Sequence, residues 1–86
     1  MGYQYQKQVL RQQYGNRCML CERVLQKKKQ SYHHRQPKSC GGKGSIDNGV
    51  ILCMECQHII HQFEYGTEPY AKLDTLIAKN MDKYRK

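Results

Sequence analysis

DNGVILCMECQHIIH, residues 47–61, passes from turn-forming to strand-forming to helix-forming residues within one short stretch. The letters DNG favour a turn, and VILC is a compact β-branched run that is typical of a short strand. From Cys56 onward, CQHIIHQFEYG has helical spacing, which predicts a helix that buries Ile59 and Phe63 and ends at Gly66. We therefore expect a strand that runs directly into a helix, with two cysteines at the junction.

A second Cys-x-x-Cys pair lies upstream in CMLC, with 31 residues between the two pairs. Two such pairs can supply four thiolates to one tetrahedral ion, with bonds of about 2.3 Å. Disulfides are the alternative, but an odd total of five cysteines and a reducing cytosol argue against them. A thioredoxin-type redox site would need only one such motif, in a βαβ setting that the sequence lacks. We predict one structural zinc ion bound by Cys18, Cys21, Cys53 and Cys56, with Cys40 left over as a loop thiol.

The segment between the cysteine pairs has the pattern of a long β-hairpin. RCMLCERVL is expected to form the first cysteine turn and a strand that leaves it, and QKKKQ a cationic loop. SYHHR has the extended character of a strand and stops before Pro37. Residues 37–49, PKSCGGKGSIDNG, are rich in turn-forming residues and predict the hairpin loop.

Helices are expected on both sides of this segment. Residues 3–14 predict a helix that Gly15 ends, with Val9, Leu10 and Tyr14 on one side. Thr67 and Pro69 are typical of a helix start, and a last helix over about 67–85 places Tyr70, Leu73, Ile77 and Met81 on one face. The predicted fold is α+β: a small zinc-stapled core of two strands and a helix, residues 16–66, flanked by N-terminal and C-terminal helices.

Composition limits what a chain of 86 residues can be. With 38% hydrophobic residues and no Trp, it buries a modest core and needs a staple such as a metal ion. The longest apolar run is far shorter than the roughly 20 residues that span a membrane, and the first residues lack the apolar core of a secretory signal. We expect a soluble, cytoplasmic protein whose residues 1–86 form a single domain.

The net charge of +8 is concentrated in the first half of the chain. Residues 1–46 hold ten cations and one acid, whereas residues 47–86 hold five cations and six acids. A one-sided positive field fits a polyanionic partner, and nucleic acid is the commonest such partner. A basic, solvated face with no partner is the alternative.

The histidines form a pattern that suits an open metal site. Successive strand residues point to opposite faces, so His33 and His34 are expected to have different roles rather than to share one ion. On the helix, Gln57 and His61 are four residues apart and share a face, with His58 at its edge. A hairpin histidine opposite a helix histidine leaves coordination positions for water and substrate, as metal-assisted hydrolysis requires. A surface histidine pair without any chemistry is the alternative.

These elements, taken in order, resemble the HNH endonucleases, which have a ββα-metal fold. The matching pieces are CMLC, then HHRQP and GG, then DNGVILCMEC, then IIH, in the order and spacing of the four-cysteine branch of that family. The resemblance covers residues 18–61 and implies that His34 is the general base, with Asn48 bracing the hairpin and orienting that base. Small stand-alone members are often carried by phages, so the resemblance also implies a viral origin and the host-cell cytoplasm.

The resemblance further implies a catalytic divalent cation, Mg²⁺, Mn²⁺, Ni²⁺ or Zn²⁺, bound by His33 and His61. Gln57 falls on the second helix ligand, where the family usually has His or Asn, and His58 is the alternative ligand. A Gln carbonyl binds a hard cation directly or through water but is a poor partner for zinc.

The implied function is hydrolysis of DNA phosphodiester bonds, by nicking or double-strand cleavage, with little sequence preference. The nucleic-acid backbone would be held by the cations of the hairpin: Lys27, Lys28, Lys29, Arg35, Lys38 and Lys43. The alternative function is a non-catalytic zinc module that binds nucleic acid or a host protein, such as a phage-encoded inhibitor.

Overall fold

The computed structural model describes residues 4–36 and 48–85. In those ranges the chain forms three α-helices and one antiparallel pair of strands. In chain order they are α1 (Gln4–Tyr14), β1 (Gln30–His34), β2 (Gly49–Cys53), α2 (Met54–His61) and α3 (Glu68–Tyr84). The predicted α+β fold, with a strand–strand–helix core between two flanking helices, is confirmed. None of the helices described is long and apolar enough to cross a membrane.

The two strands pair over their full length and place the histidines at one end of the hairpin. Gln30 lies opposite Cys53, and His34 lies opposite Gly49. A Cβ atom on Gly49 would overlap the ring of Tyr32, so a side chain at this position would displace that ring. Every residue of β2 is buried, because helices pack against the strand pair.

The core forms where the strands meet the three helices. Leu10 of α1, Leu52 of β2 and Ile60 of α2 are each at most 1% exposed. From α3, the core takes in Tyr70, Ile77 and Met81, three of the four residues predicted on its inner face, and Leu73 packs partly buried against them. Both flanking helices therefore pack on the hairpin through the faces that their periodicity predicted.

The orientation of α2 differs from the prediction. The helix begins at Met54 and ends at His61, and it buries Ile60 while Ile59 remains 45% exposed and Phe63 37% exposed. The physical reason is the cysteine pair: Cys56 is turned inward, and the residue four positions later, Ile60, shares its face. Gly66, at φ 93°, lies in the turn before α3 rather than at the end of α2.

The first cysteine turn is also more compact than predicted. Instead of a strand leaving it, a single bridge pairs Arg17 with Val24, and Lys27–Lys29 form one 3₁₀ turn. Glu22 takes φ 68°, and its N–H donates to the carbonyl of Cys18 at 2.9 Å, which closes the turn.

The C-terminal half of α3 makes hydrogen bonds to this turn. The side-chain amide of Asn80 donates to the carbonyl of Met19 at 2.8 Å. Lys83 and the hydroxyl of Tyr84 both donate to Glu22 Oε1, at 3.0 and 2.7 Å. The same helix carries Tyr70 near its other end, so α3 bridges two separate parts of the core.

Candidate functional site

The four predicted zinc ligands converge on one point. The Sγ atoms of Cys18, Cys21, Cys53 and Cys56 all lie within 4.8 Å of one another. The Sγ atoms of Cys21 and Cys53 are 3.9 Å apart, close to the roughly 3.8 Å that separates sulfurs around a tetrahedral ion with 2.3 Å bonds. All four are free thiols rather than disulfides. The four cysteines are therefore close enough together to bind one zinc ion.

Backbone amides of the two cysteine turns point at the sulfurs. The Sγ of Cys18 accepts from the N–H groups of Leu20 and Cys21, both at 3.4 Å, and the Sγ of Cys53 accepts from Cys56 N–H at 3.3 Å. Burial opposes ionisation of Cys53, but the Cys56 N–H and the Arg23 guanidinium outweigh it and lower the pKa of this thiol to about 7. Burial instead raises the pKa of Cys56. A bound dication would supply the positive charge that four clustered thiolates require.

A second site lies where the end of β1 meets α2. His33, His34, Gln57 and His61 line one cavity of about 290 Å³, together with four aromatic residues: Tyr32, Phe63, Tyr65 and Tyr70. The rings of His33 and His61 are nearly perpendicular, with centroids 5.5 Å apart. The structure thus brings together the hairpin and helix residues that sequence reasoning selected as ligands. His58 does not border this cavity and instead lines a neighbouring groove, which Ser31, Gln57 and His61 also line.

The two neighbouring histidines face different partners, as expected for successive strand residues. His33 contacts His61 and Tyr70, whereas the ring of His34 lies edge-on to Tyr32 with centroids 5.0 Å apart. Both residues nevertheless line the same cavity. The adjacent imidazoles can therefore take separate roles within one site.

His33 is the most buried of the cavity histidines, at 3% exposed. Burial, and then the nearby imidazole of His61, lower the pKa of His33 to about 4. The ring is therefore neutral at neutral pH, which is the form of histidine that binds metal ions. Its Nδ1 atom is buried and has no hydrogen-bond partner among the residues described.

Gln57 presents a second buried acceptor. Its Nε2 donates to the carbonyl of Tyr32 in a long hydrogen bond of 3.4 Å, with Oε1 at the other end of the amide. Within the described ranges, Oε1 is buried and has no hydrogen-bond partner. Buried polar atoms are normally satisfied, so two such acceptors bordering one cavity fit a bound cation or its water ligands. The donor set of two imidazoles and one amide oxygen suits a divalent transition metal or, less strongly, Mg²⁺.

Asn48 ties the two strands together immediately beyond His34. Its side-chain oxygen accepts from Gln36 N–H and its side-chain nitrogen donates to Gln36 carbonyl, both at 2.9 Å. Its own carbonyl accepts from Arg35 N–H at 2.9 Å. These three hydrogen bonds hold the backbone that follows His34, so the geometry suits the bracing role that the family resemblance implies for Asn48.

Among the predicted nucleic-acid-binding cations, Arg35 is engaged inside the protein. Its Nε and one terminal nitrogen donate to the two carboxylate oxygens of Asp74 on α3, at 2.9 and 3.1 Å. This paired contact directs the guanidinium toward α3 and ties the end of β1 to that helix. Lys27, Lys28 and Lys29 are exposed. Lys38, Lys43 and Cys40 lie outside the described residues.

Sequence reasoning assigned Tyr70 to the core face of α3 and did not connect it with the site. Its hydroxyl lies 3.3 Å from His33 Nε2 and donates to the carbonyl of Arg35 at 2.8 Å. The periodicity of α3 accounts fully for a buried residue at this position, so no signal in the sequence distinguished Tyr70 from its neighbours Leu73 and Ile77.

A family model, described as HNH endonuclease, matches residues 18–63 of this chain. The matched range is more than half of the 86 residues and contains both cysteine pairs, both strands, α2 and the four cavity residues His33, His34, Gln57 and His61. A comparison with curated proteins gives no match. The order of elements and the clustering of the four cysteines agree with the family match. The chain belongs to the HNH endonuclease family.

Proposed function

We propose that this protein is a metal-dependent endonuclease that hydrolyses phosphodiester bonds of DNA. Membership of the HNH endonuclease family supports nuclease chemistry in general. The observation that carries the specific proposal is the pair of buried acceptors, His33 Nδ1 and Gln57 Oε1, on residues that share one cavity with His61 and His34.

In this proposal His33, Gln57 and His61 hold the divalent cation. When bound, that cation would stabilise the negative charge that develops on the phosphate and on the leaving oxygen. His34 accepts a proton from a water molecule, which then attacks phosphorus in line with the leaving oxygen. Asn48 keeps the backbone beside His34 in place through its hydrogen bonds to Gln36.

The zinc site has a structural role in the same proposal. Cys18, Cys21, Cys53 and Cys56 bind one zinc ion, which leaves no open position for water or substrate. The ion fixes the junction between β2 and α2, because Cys53 caps that helix and Cys56 lies in its first turn. The helix in turn carries Gln57 and His61 to the histidine cavity.

The exposed lysines at the start of β1 are proposed to bind the nucleic-acid backbone. Lys29 directly precedes β1, and the four strand steps from Gln30 to His34 span about 13 Å, so roughly one strand length separates this charge from the base. A nucleic-acid strand that contacted these lysines would be held there mainly by charge. Affinity for DNA is therefore expected to fall steeply as salt is raised, with little dependence on sequence.

The proposal is tested by nicking of supercoiled plasmid with zinc-loaded protein and added Mg²⁺, Mn²⁺ or Ni²⁺. His34→Ala should lower the cleavage rate by about 100-fold or more, since general bases contribute about 10²–10⁴-fold. His58→Ala is the matched control, because His58 is an exposed histidine of the same motif that does not border the cavity, and it should cleave normally.

Two results would contradict the proposal. Undiminished cleavage by His34→Ala would remove His34 as the base. Absence of cleavage by the wild type with every metal, together with salt-sensitive DNA binding, would instead identify a non-catalytic nucleic-acid-binding module.

A further inference from the structure

The hydroxyl of Tyr70 lies between a backbone carbonyl and an imidazole nitrogen. Its oxygen is 2.8 Å from the carbonyl oxygen of Arg35 and 3.3 Å from Nε2 of His33. A tyrosine hydroxyl has one proton, and a carbonyl oxygen can only accept. The proton of Tyr70 is therefore donated to Arg35, and the hydroxyl oxygen is left to accept from His33.

This assignment sets the tautomer of His33. Because the Tyr70 oxygen accepts a hydrogen bond from Nε2 of His33, Nε2 carries the proton. The lone pair that can bind a metal ion is then on Nδ1. Nδ1 is the buried atom of this ring that has no hydrogen-bond partner in the described part of the chain. The contact with Tyr70 and the unsatisfied Nδ1 are independent observations, and both indicate the same tautomer.

Tyr70 is held firmly enough to control that ring. Tyr70 is 5% exposed. One helical turn after it on α3, Asp74 binds the guanidinium of Arg35 through both carboxylate oxygens and so ties the helix to the end of β1. Two residues of α3 therefore contact Arg35: Tyr70 donates to its carbonyl, and Asp74 binds its side chain. The position of the Tyr70 oxygen relative to His33 follows from this double attachment.

We propose that Tyr70 is a positioning residue of the metal site, which holds His33 in the Nε2–H tautomer and so makes Nδ1 the atom that binds the divalent cation. The proposal rests on the proposed metal site at His33, Gln57 and His61. It adds a residue from α3, which lies outside the range matched by the family model, residues 18–63. Partners of this kind commonly change metal affinity by about 10–100-fold when they are removed.

The test uses zinc-loaded full-length protein and two readouts that need no DNA. Long-range ¹H–¹⁵N NMR of the wild type, without a second metal, should show His33 as the Nε2–H tautomer. Tyr70→Phe removes only the hydroxyl, and it should shift His33 toward the Nδ1–H tautomer and weaken Ni²⁺ binding about 10–100-fold by calorimetry. Tyr65→Phe is the matched control, because Tyr65 lines the same cavity and packs edge-on against Tyr70 with centroids 5.3 Å apart.

An Nδ1–H tautomer in the wild type would overturn the proposal, whether or not Tyr70→Phe folds well. It would also be overturned if Tyr70→Phe kept the wild-type tautomer and Ni²⁺ affinity, or if Tyr65→Phe weakened Ni²⁺ binding equally. Failure of the nuclease proposal is distinguishable, since it would appear as absent plasmid cleavage with the His33 tautomer and the Ni²⁺ affinity as expected.

Discussion

The cysteine cluster and the histidine cavity are two candidate metal sites of different construction. In the cluster, each pair of ligands comes from one short turn, and amides of the same turns donate to the sulfurs. In the cavity, the predicted ligands come from β1 and α2, and the residue that contacts His33 Nε2 comes from α3. Each half of the first site is specified by local sequence, whereas the second site depends throughout on the packing of three separate elements.

This difference predicts that removing zinc has the largest effect. Cys53→Ser, or a strong chelator, should abolish the cooperative fold, because structural zinc contributes about 10–16 kcal/mol in small domains whose net stability is about 5–15 kcal/mol. Thermal unfolding followed by circular dichroism, with zinc content measured in parallel, tests this. Cys40→Ser is the control and should retain both zinc and fold. A cooperative transition in zinc-free protein would show that the core is sufficient alone.

Removing a cavity histidine should have a smaller and separable effect. His61 is exposed, so His61→Ala should keep the zinc content and the melting temperature. Calorimetry should show that it lowers Ni²⁺ affinity by more than the roughly 10–100-fold lost when a hydrogen-bond partner of a metal ligand is removed. The exposed histidine His58 provides the comparison, since His58→Ala should bind Ni²⁺ as the wild type does. Loss of zinc from His61→Ala would mean that the two sites are not independent.

The smallest effect is expected at Gln57, where the cavity departs from the usual family ligands. Gln57→His replaces an amide oxygen with an imidazole nitrogen, which binds Ni²⁺ and Zn²⁺ better, so their affinity should rise by about 10-fold. Mg²⁺ should gain nothing, because it prefers oxygen ligands. Competition between the metals, followed by calorimetry, measures both changes. Equal gains for Mg²⁺ and Ni²⁺ would indicate that residue 57 does not contact the ion.

What the sequence predicted follows the same division. The zinc ligands were predictable because the residue spacing within each Cys-x-x-Cys turn carries that information. The order of strands and helix was predictable because turn-forming, β-branched and helix-spaced runs follow one another along the chain. The sequence predicted Ile59 on the inner face of α2, but the structure buries Ile60 instead, because Cys56 rather than apolar spacing alone sets the orientation of the helix.

The contacts of α3 with the hairpin were not predictable. The contact between Arg35 and Asp74 joins residues 39 positions apart, and that between His33 and Tyr70 joins residues 37 apart. Pairings at such separations depend on how α3 packs, and no local pattern specifies them. Arg35 consequently had the sequence character of a phosphate ligand, although its guanidinium is bound within the fold.

The two-ended attachment of α3 means that the recognisable motif is not a self-sufficient unit. A fragment ending at residue 63 would retain every residue that the family model matches, yet it would lose Asn80 from one end of the core and Tyr70 from the other. Transplanting the motif into another scaffold would therefore require a substitute for α3. That substitute would have to contact the first cysteine turn at one end and orient the imidazole of His33 at the other.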